Sequence, residues 1–169
     1  MGIRSWFGRG DAEQQEEYVV PPAPTEKDVL ASLNRVNAML HDGNAPQVVI
    51  ARVVAIARTI SQTLPRLRSL GLGSDEGYAV VATATDYLPE AVAGYLRLPR
   101  DWADTRPIDG AKTALMILID QLELLGATMD KIFDAANRAD AQALVAHGRF
   151  LQERFGHDDG GPELTVGAP

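Results

Sequence analysis

Cysteine is absent from the 169 residues. Its absence excludes disulfides, thiolate nucleophiles and cysteine-ligated zinc or iron–sulfur centres, and it suits the cytoplasm, where the chain is expected to reside. Histidine is nearly as scarce, with only His41, His147 and His157. A di-iron helical bundle needs Glu-x-x-His to set two ligands on one helical face. The glutamates here continue as EGYA, EAVA, ELLG and ERFG, so that motif is missing. No metal and no other cofactor is expected.

Phosphate and nucleophile signatures are missing as well. There is no GxxxxGK[ST] loop and no nucleophile elbow. The one glycine-rich stretch, GLGSDEG, has neither the lysine nor a preceding strand, and reads as a turn between helices. No catalytic residue can be named. Positive charge is in deficit, with 16 Lys and Arg against 23 Asp and Glu and a formal net charge of −7. That balance favours solubility and repels a phosphate backbone, so no nucleic-acid partner is expected. Long apolar runs are lacking too. VVIARVVAIA and ALMILI fall short of the about 20 apolar residues that cross a bilayer, and MGIRSWFGRGD has no apolar h-region of a secretory leader.

What is present is helical period. Hydrophobic residues make up 46% of the chain, enough for a core in a single domain of this length. Five helical segments can be traced. The first begins at a Thr25 cap with Asp28 three residues on, carries Val29, Leu33, Val36 and Leu40, and ends where Gly43 or Asn44 can turn left-handed. The second runs from Pro46 through Val49, Val53, Ile56, Ile60, Leu64 and Leu67, with Pro65 bending its last turns. The third carries Tyr78, Val81, Thr85, Leu88, Val92 and Tyr95. The fourth sets Leu115, Leu118, Leu122, Leu125, Met129, Ile132 and Ala136 in a 3–4 seam. After a break at 137–140, a fifth continues that seam with Ala141, Leu144, Gly148, Leu151 and Phe155. Strand patterns are nearly absent. The expected fold is an all-α antiparallel bundle over residues 25–156, with 46–70 and 108–137 at its centre, between flexible tails at 1–24 and 157–169.

One stretch, TDYLPEAVAGYLRL at 85–98, holds a proline inside a helical pattern. Because apolar register is kept across Pro89, a kinked continuous helix is favoured over a break with Asp86 capping a new helix. A kink frees the Thr85 carbonyl from its usual donor, which makes the bend the best place for a pocket. Thr85, Asp86, Tyr87, Pro89 and Tyr95, with His147 bordering the later seam, form the candidate pocket or interaction set. Two charged or amphipathic features compete with it. Asp120, Glu123, Asp130 and Asp134 form an acidic stripe opposite the fourth seam, read as a solvated face. Ile3, Trp6 and Phe7, near Arg4 and Arg9, form a tip suited to peripheral contact with a membrane or a partner.

Tyr87-Leu88-Pro89, Tyr95-Leu96, the seam from Leu115 to Ile132 and Phe150-Leu151 together resemble the C-terminal helical region of XpaC-like proteins. That family is labelled 5-bromo-4-chloroindolyl phosphate hydrolysis and is associated with tellurite (toxic-anion) resistance. The resemblance covers roughly 70 residues and supplies no catalytic motif, and the membrane-spanning segments common at the start of family members are missing here. It implies a helical accessory protein of stress resistance or the cell envelope. The leading expectation is therefore a non-enzymatic interaction module that binds another protein and could form a homo-oligomer. The alternative is a small hydrolase or ligand-binding bundle with its pocket beside Pro89.

Overall fold

The computed structural model describes residues 24–70 and 74–156. Both tails, the tip of Ile3, Trp6 and Phe7, and the turn at 71–73 lie outside the described residues. The described chain is an all-α bundle with one very short hairpin. Its elements are α1 (Glu26–Asp42), α2 (Gln47–Leu70), α3 (Asp75–Ala82), a π-helical turn (Thr83–Tyr87), α4 (Leu88–Leu96), α5 (Arg100–Thr105), β1 (Pro107–Asp109), β2 (Lys112–Thr113) and α6 (Ala114–Phe155).

Local chemistry sets most of the boundaries. Thr25 and Asp28 close a capping box: the Thr25 hydroxyl accepts from the Asp28 N–H at 3.3 Å, and the Thr25 N–H donates to the Asp28 carboxylate at 2.8 Å. The Thr25 hydroxyl also donates to the Asp28 carboxylate at 2.6 Å, and this bond, together with that from the Thr25 N–H, holds the Asp28 carboxyl below its usual range. After α1, Asn44 takes the left-handed conformation with φ of 47°, which its short polar side chain tolerates. Ser74 caps α3 by accepting from the Gly77 N–H, and Thr113 caps α6 by accepting from the Met116 N–H.

The core lies among α1, α2, the bent α3–α4 track and the first half of α6. Val36 and Leu40 of α1, Val49, Ile60 and Leu67 of α2, Leu88 and Val92 of α4, and Leu122 and Met129 of α6 are all buried. The α2–α6 pair makes the most extensive contact in the fold. At Gly126 the two helices come close enough that an added Cβ would meet Ile56 Cγ1 at 3.6 Å. By length and composition alone, Gln47–Leu67 is a helix apolar enough to cross a membrane. Its apolar positions Val49, Val53, Ile56, Ile60, Leu64 and Leu67 are in the bundle core.

Three sequence expectations need correction. The helix after residue 113 does not break at 137–140, because Asn137, Arg138, Ala139 and Asp140 include no glycine or proline, the Asn137 amide donates back to the Phe133 carbonyl, and α6 runs unbroken for 42 residues. Pro65 lies inside the last turns of α2, which runs to Leu70 as expected. The central helix expected from 108 begins only at Ala114: residues 100–105 form α5, and RPIDG opens an antiparallel hairpin that pairs Pro107 with Thr113 and Asp109 with Lys112. Gly110 turns that hairpin at φ of 56°, a conformation glycine adopts without strain.

The third correction concerns the bend. The chain stays helical through Pro89, so the continuous helix holds rather than the break, and Asp86 is not a cap. The Leu88 N–H donates to the Thr83 carbonyl, five residues back, which is the π-helical pattern. Pro89 has no N–H to donate, and the wider turn just before it makes room for the ring. The extra residue in that turn also rotates the upstream face. The positions in the hydrophobic core are Val80, Ala84, Leu88, Val92 and Tyr95, while Tyr78 is 69% exposed and Val81 and Thr85 are half-buried. A 3–4 pattern read straight through the bend therefore picks upstream residues one position away from the core face.

Candidate functional site

The bend separates two grooves and divides the expected pocket between them. On its α1 side, Thr85, Asp86, Pro89 and Glu90 face Ser32, Arg35, Val36 and Met39 across a cleft of about 410 Å³. The Thr85 hydroxyl, with one proton to donate, lies within hydrogen-bond distance of two acceptors, the Val81 carbonyl at 2.9 Å and the Asp86 carboxylate at 2.8 Å. Ser32 is buried in the wall of this cleft. Its rim therefore carries one guanidinium and two carboxylates, above a floor of Val36, Met39, Pro89 and Ala93.

Tyr87 and Tyr95 line the other groove, on the α6 side, which holds about 490 Å³ among Ala91, Leu98, Ile108, Leu118, Leu124 and Leu125, with Glu90, Arg97 and Gln121 as polar members. Tyr95 is only 5% exposed and serves as a structural pin. Its hydroxyl donates to the Asp104 carboxylate at 2.6 Å and accepts from Arg100 Nη1 at 3.0 Å. Arg100 Nη2 donates to the Gly43 carbonyl at 2.8 Å, and the guanidinium lies 5.0 Å from the Tyr95 ring centroid. One tyrosine thus ties α4 to α5 and, through Arg100, to the end of α1. Burial and the bond to Asp104 push the Tyr95 hydroxyl up to about 12, against the opposing pull of Arg100.

His147 belongs to neither groove. It sits on the far part of α6, where it stacks on Phe150 with ring centroids 6.3 Å apart. The expectation that it borders a buried seam is incorrect, because every residue from 138 to 156 is exposed. Among the described residues, no three His, Asp or Glu side chains gather closely enough to hold a metal ion. The acidic stripe is not purely solvated either. Asp120 accepts from Lys112, Glu123 pairs with Arg52 of α2 at 2.8 Å, and Asp130 accepts from the Thr59 hydroxyl at 3.1 Å. Most of the stripe fastens α6 to its neighbours.

The feature that sequence reading missed is the arm of α6 at 138–156. Leu144 is 73% exposed and Phe155 67%, with Val145, Phe150 and Leu151 also exposed. At about 1.5 Å per residue it spans about 27 Å. At its root, Arg66 of α2 lies 5.4 Å from the Phe133 ring centroid and reaches Asp140 at 3.5 Å. The 138–156 stretch stays helical without a packed neighbour because it extends an existing nucleus and is rich in alanine. A signal for it was present. The seam steps by threes and fours to Ala136 and then by five to Ala141. At 3.6 residues per turn, that step and the positions after it turn the distal apolar stripe by roughly a quarter of a turn from the proximal seam.

No protein-family model, curated protein or solved structure matches the chain. The likeness of residues 87–96 to XpaC-like proteins rests on those sequence features alone.

Proposed function

We propose that the protein is a non-enzymatic helical interaction module whose docking element is the α6 arm. The observation that carries this reading is the exposed stripe of Ala141, Leu144, Gly148, Leu151 and Phe155 on a helix with no packed neighbour among the described residues. Spacings of three, four and seven are the anchors by which an amphipathic helix enters an apolar groove or pairs with another helix. Contiguous exposed apolar faces on globular proteins mark such contacts. The XpaC-like resemblance extends the proposal to a cytoplasmic accessory role in toxic-anion (tellurite) stress or at the envelope.

Photocrosslinking in the native host tests this directly, with a photoreactive residue placed at Leu144 or Phe155. A discrete adduct that disappears in a Leu151→Glu background supports the reading. Uniform absence of adducts along the arm would overturn it. Robust, purification-resistant aryl-phosphate hydrolysis would overturn its non-enzymatic half.

A second reading is favoured by the cleft beside the bend. Arg35, Asp86 and Glu90 over an apolar floor suit a small amphiphilic ligand that carries both charge signs. A ligand whose thermal stabilisation of the protein is lost in Arg35→Ala and retained in Leu151→Glu would establish this reading. A compound screen without such a hit leaves the arm as the functional element.

A further inference from the structure

Gly148 lies at the centre of the arm's apolar stripe, where a mid-helix glycine weakens the helix relative to alanine. Nothing among the described residues explains it, since a Cβ added there would meet none of their atoms within 4 Å. Gly126 on the same helix shows the contrasting case, because a Cβ there would come against α2. A glycine that permits close helix approach, on a face with no approaching helix among the described residues, suits one from a second molecule.

Resting on the reading of the arm as a docking element, we infer that its occupant is a second copy of this chain, paired antiparallel about a two-fold axis near Gly148. The stripe is self-complementary in that register. The two glycines meet where the backbones cross. Ala141 falls opposite Phe155 of the second copy, small against large, and Leu144 falls beside Leu151 of the second copy. On one flank, Asp140 and Arg154 of the second copy come together with opposite charge, and the two-fold repeats the pair.

Charge also favours the arm as the self-contact. Arg138, Arg149 and Arg154 nearly balance Asp140 and Glu153, whereas the whole chain carries −7. Two copies joined at the arms therefore keep their acidic bundles apart. One helix pair about 27 Å long is a smaller contact than the roughly 1,200 Å² at which stable interfaces begin, so the dimer is reversible and depends on concentration.

Sedimentation velocity on the full chain, across a concentration series spanning roughly 1 μM to 1 mM, tests the inference. The expected result is a reversible monomer–dimer equilibrium. Gly148→Ala should weaken it at least about tenfold while raising arm helicity, two effects that a merely structural glycine would not combine. Leu151→Glu should leave a monomer throughout. Arg154→Glu should weaken the dimer, and adding Asp140→Lys should recover it, since the exposed Arg66–Asp140 pair given up contributes little. Because the chain has no cysteine, Ala141→Cys mixed with Phe155→Cys should crosslink across copies. Preferential crosslinking of Ala141→Cys to itself would mean parallel pairing and would overturn the proposed axis. A wild-type chain that stays monomeric, or a dimer indifferent to Gly148→Ala and Leu151→Glu, would overturn the second-copy inference. In either case a Leu151-dependent adduct to another protein would leave the docking reading standing, and its absence would end both.

Discussion

The two halves of α6 have the same 3–4 spacing of apolar residues and opposite surroundings. From 114 to 136 the stripe is buried, with Leu118, Leu122, Met129, Ile132 and Ala136 packed on the bundle. From 138 to 156 every residue is exposed, including Leu144 and Phe155. Periodicity identifies which face of a helix is apolar. Whether that face has a partner in the same chain depends on where the stripe points, and the five-residue step from Ala136 to Ala141 turns the distal stripe away from the bundle. Length reinforces the difference, because α6 has 42 residues and its main partner α2 has 24.

The largest expected contrast comes from removing one leucine from each half. Leu122 is 1% exposed, and Leu122→Ala should cost about 2–5 kcal/mol in chemical denaturation. Leu144→Ala should change the stability of the dilute protein by less than about 0.5 kcal/mol. Equal losses would erase the distinction between the halves.

Tyr95→Phe probes the polar tie at the bundle's end. It leaves Asp104 and Arg100 without the hydroxyl between them and should cost about 1–3 kcal/mol. The pH dependence has a defined sign. The folded state holds the Tyr95 proton to about 12, above the ordinary value of 10.0 for tyrosine. The folded state therefore binds more protons in that window, and stability falls as pH rises from about 10 to about 12. In Tyr95→Phe that alkaline component should vanish, as followed by denaturant melts across the range. An unchanged alkaline profile would place the loss on other groups.

The smallest effect is expected at the bend. Pro89→Ala supplies an N–H and removes the ring that the π-turn accommodates, so thermal stability should shift by no more than about 1 kcal/mol in either direction. The informative readout is the ring environment of Tyr87 and Tyr95, which near-ultraviolet circular dichroism follows. Loss of function with stability and helicity unchanged would assign the bend to a site. Parallel loss of function and stability would make it architecture.

Much of this fold was legible because the signals are local. Thr25 with Asp28, Asn44 after α1 and the seam from Leu118 to Ile132 each depend on neighbours within a turn or two. The core face upstream of the bend was less legible. One extra residue in the Thr83–Tyr87 turn moves burial to Val80 and Ala84, and the sequence pattern does not announce a π-turn. The hairpin at 107–113 escaped for another reason: its strands are three and two residues long, too short for alternation to register. The candidate pocket was read in part. Thr85, Asp86 and Pro89 do line a cleft, but Tyr87 and Tyr95 turn to the opposite groove, and His147 lies out on the arm. Only a three-dimensional arrangement separates residues that lie within ten positions of one another on a bent helix.

The central claim is that one continuous helix serves as bundle core in its first half and as an open docking surface in its second. Amide hydrogen exchange along α6, measured at low and high protein concentration, tests that claim most directly. At low concentration, residues 114–136 should exchange near the rate of global unfolding, and residues 138–156 should exchange orders of magnitude faster. At high concentration the arm alone should gain protection, and Leu151→Glu should abolish that gain. Arm protection equal to that of the bundle at every concentration, and unaffected by Leu151→Glu, would contradict the account.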